Sequence, residues 1–403
     1  MSRRVLMVAY SYYPSNSSGA HRPAKFAKYL PEFGWTSVVL CPRWTPENLP
    51  NTYDASLAAQ PDVCRVVRVE HPPWPRWRPL RVAWWLGKWL LPYRTPLAGL
   101  RRMLAAGRDL VRNERFDAVW STFKPGLNHT VASRLAREAD LPWVADFRDL
   151  PDQSEDTWRS RLTVRSEIRC CRNASALVTT SPMSSEQLAR RHAAPVHTVF
   201  NGFDPEAYPP RPESRSETFD IVYTGILYAF RNPGVVFEAL DRLARGGFIE
   251  AEDIRLRFYG ADESMVRSLA QGTCLETRTE AFGRVPHSEM VRIQQQAVIL
   301  LNLKSPAGGG SIPAKLFDYL GAQRPILNVP GDDGPVDHII RDTGAGVTAG
   351  TPDAVADTLL DWYRAWKSAG TVAWRGRPEA IATYSRRHQT GKLAAVLDEL
   401  VAG

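Results

Sequence analysis

Apolar residues recur along the chain in short, nearly continuous runs, separated by stretches with a helical period. In the first half the runs are Val5-Leu6-Met7-Val8-Ala9, Val38-Val39-Leu40, Ala118-Val119-Trp120-Ser121, Trp143-Val144-Ala145 and Ala176-Leu177-Val178-Thr179. Such runs suit parallel strands covered on both faces. Between them, Pro23 opens a helical pattern through Phe26, Ala27 and Leu30. Further helices are predicted over 126–139, over a basic stretch at 159–173, and over 184–191. The alternation halts at 205–218, a segment rich in Pro, Ser and charge that reads as an interdomain linker. It restarts with strands at Ile221-Val222-Tyr223, Leu256–Tyr259, Val298–Leu301 and Pro325–Asn328, and with helices at 233–245, 313–321 and 352–367. A last amphipathic helix is predicted at about 388–401. Two successive blocks of strand–helix alternation predict an α/β protein with two doubly wound, Rossmann-like domains.

The length of 403 residues agrees, because an ordinary domain takes about 150. With 44% hydrophobic and 23% charged residues the chain can build cores, which excludes a disordered or collagen-like protein. Lys and Arg number 51 against 43 Asp and Glu, for a net charge of +8. Arginine supplies most of the positive charge, which suits bidentate recognition of phosphate or carboxylate, although a GC-rich genome would produce the same bias. The charge also permits a nucleic-acid-binding protein. However, the basic residues are scattered and no helix-turn-helix, zinc-finger or RNP signature occurs, so no nucleic acid partner is expected.

The five cysteines, Cys41, Cys64, Cys170, Cys171 and Cys274, are odd in number, include an adjacent pair and form no C-x-x-C. They point to a reducing cytoplasm rather than to a disulfide framework or a zinc site. The apolar start breaks into Ser11-Tyr12-Tyr13-Pro14 and reads as a buried strand rather than a signal peptide. No stretch approaches 18 apolar residues, so no spanning segment is expected. One region departs from the α/β pattern: Trp74, Trp77, Trp84, Trp85 and Trp89 sit among Arg76, Arg78, Arg81 and Lys88. The segment Trp74–Pro92 is either part of the first domain's core or a contact with a membrane interface or an apolar acceptor.

The densest chemical signal is Gly308-Gly309-Gly310-Ser311-Ile312-Pro313-Ala314-Lys315-Leu316-Phe317-Asp318, between a buried strand and a helix. Glycines let backbone amides approach a ligand, and with the free N–H groups of a helix start they make an anion site. Lys315 adds a positive charge, and Asp318, about one turn on, suits paired ribose hydroxyls. Together they describe a nucleoside diphosphate. In the first domain, Gly19 lies in a loop after the first strand, at the carboxyl edge where doubly wound sheets bind ligands. His21 and Arg22 are either ligand contacts or solvated residues of the helix start. Asp146, Arg148 and Asp149 follow Trp143-Val144-Ala145 at the same edge, as catalytic groups or as a capping and salt-bridge cluster. His129 reads as an ordinary helix residue, and His192, His197, His287, His338 and His388 show no ligand spacing.

The run Ser311–Leu320, continued by Arg324-Pro325-Ile326-Leu327, resembles the donor-site signature of the retaining glycosyltransferases of family 4, which have the GT-B fold. Asn201-Gly202-Phe203-Asp204 resembles the family's Asn-Gly-hydrophobic-Asp before the linker. Tyr223-Thr224-Gly225 with Arg231 resembles its diphosphate-binding segment, and Phe282-Gly283-Arg284-Val285-Pro286 the turn that reads the nucleobase. Asp146-Phe147-Arg148-Asp149 resembles a motif of bacterial polysaccharide-assembly members.

The resemblance implies an acceptor domain at 1–205 and a nucleotide-sugar donor domain at 206–383, facing across a cleft, with the helix of 384–403 packing back on the first. It implies donor contacts from Gly19, Gly225, Arg231, Arg284, Val285, Gly308, Gly309, Gly310, Ser311, Ile312, Lys315 and Asp318. It implies transfer chemistry at His21, Asp146, Arg148 and Asp149. The activity implied is hexosyl transfer, with retention, from a nucleotide-diphosphate sugar to a hydroxyl acceptor that is a glycan, a lipid-linked sugar or a natural product. A pseudo-glycosyltransferase or a sugar-nucleotide epimerase is the alternative. The chain departs from the pattern in carrying Gly310 where many members have the first Glu of Glu-x7-Glu, and Ile226 where many have Arg. No D-x-D occurs, so neither a metal nor another cofactor is expected. Two cations with helix-start amides can offset the leaving group's charge.

Overall fold

The computed structural model describes residues 2–49, 52–70, 79, 82–83, 86–87, 97–151, 157–210, 215–228, 231–304 and 312–402. The chain divides into two compact units, Met1–Asn201 with Arg386–Gly403, and Gly202–Ser385.

The N-terminal unit is built on β1 (Arg3–Val8), β2 (Trp35–Arg43), β3 (Arg65–Glu70), β4 (Ala118–Phe123), β5 (Trp143–Phe147), β6 (Ala176–Thr179) and β7 (Val196–Thr198). These form one parallel sheet in the order β3-β2-β1-β4-β5-β6-β7. Leu6 and Val8 enter a core with the helices Leu97–Asn113 and Leu127–Ala139, whereas Val5 and Met7 enter another on the opposite face. This alternation is why β1 must be apolar throughout. The second core is closed by the helix Ser18–Tyr29 and by Leu393 and Leu397 of the last helix, Arg386–Ala402. Trp35 Nε1 donates to Asp398 at 2.8 Å, and Gln389 Oε1 accepts the Phe200 N–H at 2.7 Å, fixing that helix on the unit.

The C-terminal unit repeats the plan with β8 (Phe219–Thr224), β9 (Ile254–Tyr259), β10 (Thr279–Phe282), β11 (Ile299–Leu303), β12 (Ile326–Val329) and β13 (Gly346–Thr348). The parallel order is β10-β9-β8-β11-β12-β13. Phe219, Ile221 and Tyr223 meet the helices Gly234–Arg245 and Pro352–Ala369 in its core.

Three expectations need correction. The first helix begins at Ser18, not at Pro23, which lies inside it. His21 and Arg22 are therefore within the helix, and Arg22 is buried. The first unit ends at Asn201 rather than at 205, because Phe203 bonds to the other unit's chain, its N–H donating to Tyr384 O at 3.3 Å. The return to the first unit comes at Arg386 rather than at 384.

Candidate functional site

In each sheet the strand order reverses beside the first strand, between β1 and β4 and between β8 and β11. Doubly wound sheets bind ligands at the carboxyl ends of the strands at such a reversal. Each of these two strands leads into a glycine whose missing Cβ makes room for a cation.

In the C-terminal unit that glycine is Gly225, with φ +102°, a backbone that side-chain-bearing residues rarely adopt. A Cβ there would lie 3.2 Å from Lys315 Nζ. The Lys315 ammonium is buried, has no hydrogen-bond partner among the described residues, and stands 3.6 Å from the centre of the Tyr223 ring. Burial, and secondarily the charge of Arg231, hold its pKa well below the usual lysine range, with Asp318 pulling weakly the other way. The helix Ala314–Ala322 places Lys315 and Tyr319 one turn apart. Tyr319 fixes that helix to the end of β8, its hydroxyl accepting the Thr224 N–H at 2.9 Å and approaching Leu301 O at 3.3 Å. Gln294 Nε2 donates to Thr224 Oγ1, and Tyr208 donates to Gln294.

Lys304, just after β11, supports the same edge. Its ammonium donates to Asp337 Oδ1 at 2.8 Å and pairs with Asp332, while Asn328 donates to the same Asp337 oxygen. Arg284 is exposed and Val285 half-buried in the turn after β10. Ile312 is buried just before the helix Ala314–Ala322. Gly308, Gly309, Gly310 and Ser311 lie outside the described residues, as do all five tryptophans of the 74–92 segment.

In the N-terminal unit the glycine is Gly19, in the first turn of its helix, and a Cβ there would overlap Arg148 Nη1. The Arg148 guanidinium thus packs on that turn's backbone, with Asp149 Oδ2 3.4 Å from its Nε. Asp146 is fully buried. One of its oxygens accepts from Arg22 Nε at 2.8 Å, and the other has no hydrogen-bond partner among the described residues. Burial raises its pKa and Arg22 opposes the rise. Arg22, also buried, donates to Val199 O and Phe200 O at 2.9 Å each. Asp146, expected among the groups that act on substrate, is thus linked through Arg22 to the chain at the end of β7. His21 stands apart from Arg148: Nδ1 lies 3.2 Å from the Tyr13 hydroxyl and Nε2 3.1 Å from Asn16 Oδ1. Both ring nitrogens serve the 12–16 loop.

His129 sits in the core beneath β4 and β5, where Ser121 Oγ lies 2.8 Å from its Nδ1 and accepts from Trp143 Nε1 at 2.9 Å. Burial pushes its pKa down to about 3. Sequence reasoning did not single out Tyr223, Thr224 and Tyr319 as supports of Lys315, or Lys304 with Asp337. Tyr319 lay inside the recognised run, but nothing in the sequence signalled the Lys304–Asp337 pair. Among the described residues no three His, Cys, Asp or Glu side chains converge as metal ligands, and no helix is long and apolar enough to cross a membrane.

The fold has close counterparts. HepE of Anabaena, solved with UDP and glucose, aligns over 99% of this chain and 100% of its own, with a TM-score of 0.66 at 13% identity. Sucrose-phosphate synthase of Thermosynechococcus elongatus aligns over 99% of both chains, at 0.66 and 14%. WaaG, a glycosyltransferase involved in lipopolysaccharide biosynthesis, aligns over 99% of this chain and 100% of its own, at 0.57 and 14%. No curated protein matches the sequence. The fold is GT-B. Residues 19–202 match the family model of the glycosyl transferase 4-like domain.

Proposed function

We propose that the protein transfers a hexosyl group from a nucleotide-diphosphate sugar to a hydroxyl acceptor with retention of configuration. The observation that carries this reading is the Lys315 ammonium, buried without a hydrogen-bond partner among the described residues, under Gly225 and beside Arg231. A buried cation next to a second cation is costly unless a multiply charged anion completes the site. A diphosphate at the β8–β11 reversal does so, and the amides of the Gly308–Ser311 segment would add donors. HepE, of the same fold, has been solved with UDP-glucose, which supports a sugar nucleotide as donor.

Retention fits attack from the face the leaving group vacates, the leaving phosphate oxygen taking the acceptor's proton. The chain's own part is then orientation and neutralisation of the diphosphate. Arg148 over Gly19 is the N-terminal group placed to meet substrate, with Asp149 beside it and Asp146 positioning the chain behind. With two cations at hand, transfer proceeds without a metal. A lipid-linked acceptor at the cytoplasmic face of a membrane, met through the Trp74–Pro92 segment, accords with that segment's Trp and Arg content.

The test is a melting-temperature screen with UDP, GDP, ADP, CMP and dTDP and their sugars in EDTA, followed by NMR of the anomeric proton of the product. A stabilising diphosphate and a retained anomer are expected. Stabilisation by none of them, or by one only when Mg²⁺ or Mn²⁺ is restored, overturns the reading.

A further inference from the structure

The N-terminal unit carries an exposed face apart from the residues described above. The helix Trp158–Cys171 buries Ser160, Glu167 and Cys171 along one side. On the other side Trp158, Leu162 and Ile168 are 58%, 44% and 37% exposed. At about 3.6 residues per turn they share one half of the circumference with Arg161, Arg165 and Arg169, and Trp158, Leu162, Arg165 and Arg169 fall near its middle. Arg159 at one edge and Arg172 just past the helix are exposed as well. The helix's one carboxylate, Glu167, is turned inward, 3.1 Å from His192 Nε2 and 3.8 Å from Arg191 Nη1. Every exposed charge on this helix is therefore positive.

We propose that this face seats the protein on an anionic phospholipid surface, with Trp158 and Leu162 entering the headgroup layer and the flanking arginines on lipid phosphates. Arginines alone would suit any polyanion. A nucleic-acid backbone, however, offers nothing to Leu162 and Ile168, whereas a lipid interface supplies phosphates and an apolar layer within one side-chain length. Tryptophan beside arginine is the composition found at headgroup depth. At 14 residues with four arginines, and Arg172 just beyond, the element is too short and too charged to span. It lies flat. The proposal does not depend on the donor site, and binding is read without any sugar transfer.

The test is co-sedimentation of the full chain with phosphatidylcholine vesicles and with vesicles that also contain phosphatidylglycerol. Wild type is expected to pellet with the anionic vesicles and to be released by salt. Arg165→Glu/Arg169→Glu should weaken partitioning by about tenfold or more, from roughly one contribution per basic residue lost. Trp158→Ser/Leu162→Ser should weaken it too, with melting temperatures unchanged because the altered side chains are exposed. Hydrogen exchange on wild type, independent of any variant, should show 158–171 protected by anionic vesicles. Pelleting of both variants equal to wild type, no protection, or binding to duplex DNA as tight as to vesicles and indifferent to Trp158→Ser/Leu162→Ser would each overturn the proposal. The proposed nucleoside-diphosphate site in the C-terminal unit would stand in all of these cases.

Discussion

Arg148 rests on Gly19 and Lys315 rests on Gly225, so both units aim a cation at a glycine near the reversal of the sheet. Their surroundings differ. In the N-terminal unit each cation has its own carboxylate: Arg22 has Asp146, and Arg148 has Asp149. In the C-terminal unit Lys315 faces the Tyr223 ring and is destabilised by Arg231, with Asp318 acting only weakly against that. One edge is nearly balanced in charge and stable as it stands. The other holds excess positive charge out of water, a state that favours an incoming anion. The same backbone plan thus carries a balanced edge in one unit and an excess of buried positive charge in the other.

The contrast can be broken from the N-terminal side with the largest effect. Asp146→Ala leaves the Arg22 guanidinium buried without its carboxylate, and removing one partner of such a pair costs about 3–5 kcal/mol. Denaturant unfolding should show that loss, and Arg22→Met/Asp146→Leu should recover most of it, since an apolar pair of similar volume is tolerated. A loss under about 1 kcal/mol would mean that the Val199 and Phe200 carbonyls hold Arg22 unaided. The corresponding change in the C-terminal unit should act in the other direction. Lys315→Ala removes a buried charge, so the melting temperature should stay level or rise. The Kd for UDP should increase about tenfold or more, the size of one charge-assisted hydrogen bond. An unchanged Kd measured by calorimetry would remove Lys315 from the diphosphate site.

Much of this was legible in the sequence, and what was not has a consistent cause. Most of the central strands, β1, β2, β4, β5 and β6 in one sheet and β8, β11 and β12 in the other, announce themselves as apolar runs, whereas β9 alternates Ile254, Leu256 and Phe258 with Arg255 and Arg257. The four strands that sequence reading missed, β3, β7, β10 and β13, are the four edges of the two sheets. An edge strand need not be a continuous apolar run: Arg65-Val-Val-Arg-Val-Glu70 is interrupted by Arg68 and exposed at both ends, and β7 and β13 have three residues each. For the site, Lys315, Asp318, Gly225 and Arg231 were visible as a motif because glycine and charge at fixed offsets are local. Asp146 was visible as a candidate, but its pairing was not, because its partner Arg22 lies 124 positions away and burial is not a local property. The Lys304–Asp337 pair was invisible for the same reason.

The smallest expected effect is on pH dependence, and it separates the two cations most cleanly. Burial and Arg231 lower the Lys315 pKa in the folded protein, whereas in the unfolded chain it keeps its ordinary value of about 10.4. The folded state therefore releases this proton first. The stability cost of burying the ammonium is full at low pH and relieved as pH rises through the folded pKa, so wild type should gain on Lys315→Met toward alkaline pH. Nucleotide binding should run the opposite way. A diphosphate favours the ammonium, so UDP binding must take up a proton wherever free Lys315 has lost one, and affinity should fall as pH rises. The window to examine lies above about pH 7, where phosphate ionisation with a pKa near 6 is complete. Calorimetry in two buffers of different ionisation enthalpy reads the proton uptake directly. Lys315→Arg, which stays charged throughout, should bind UDP with no proton uptake and with affinity flat over the same window. Equal proton uptake by wild type and Lys315→Arg would show that Lys315 is already fully charged in the free protein. The C-terminal edge would then differ from the N-terminal one in its partners alone.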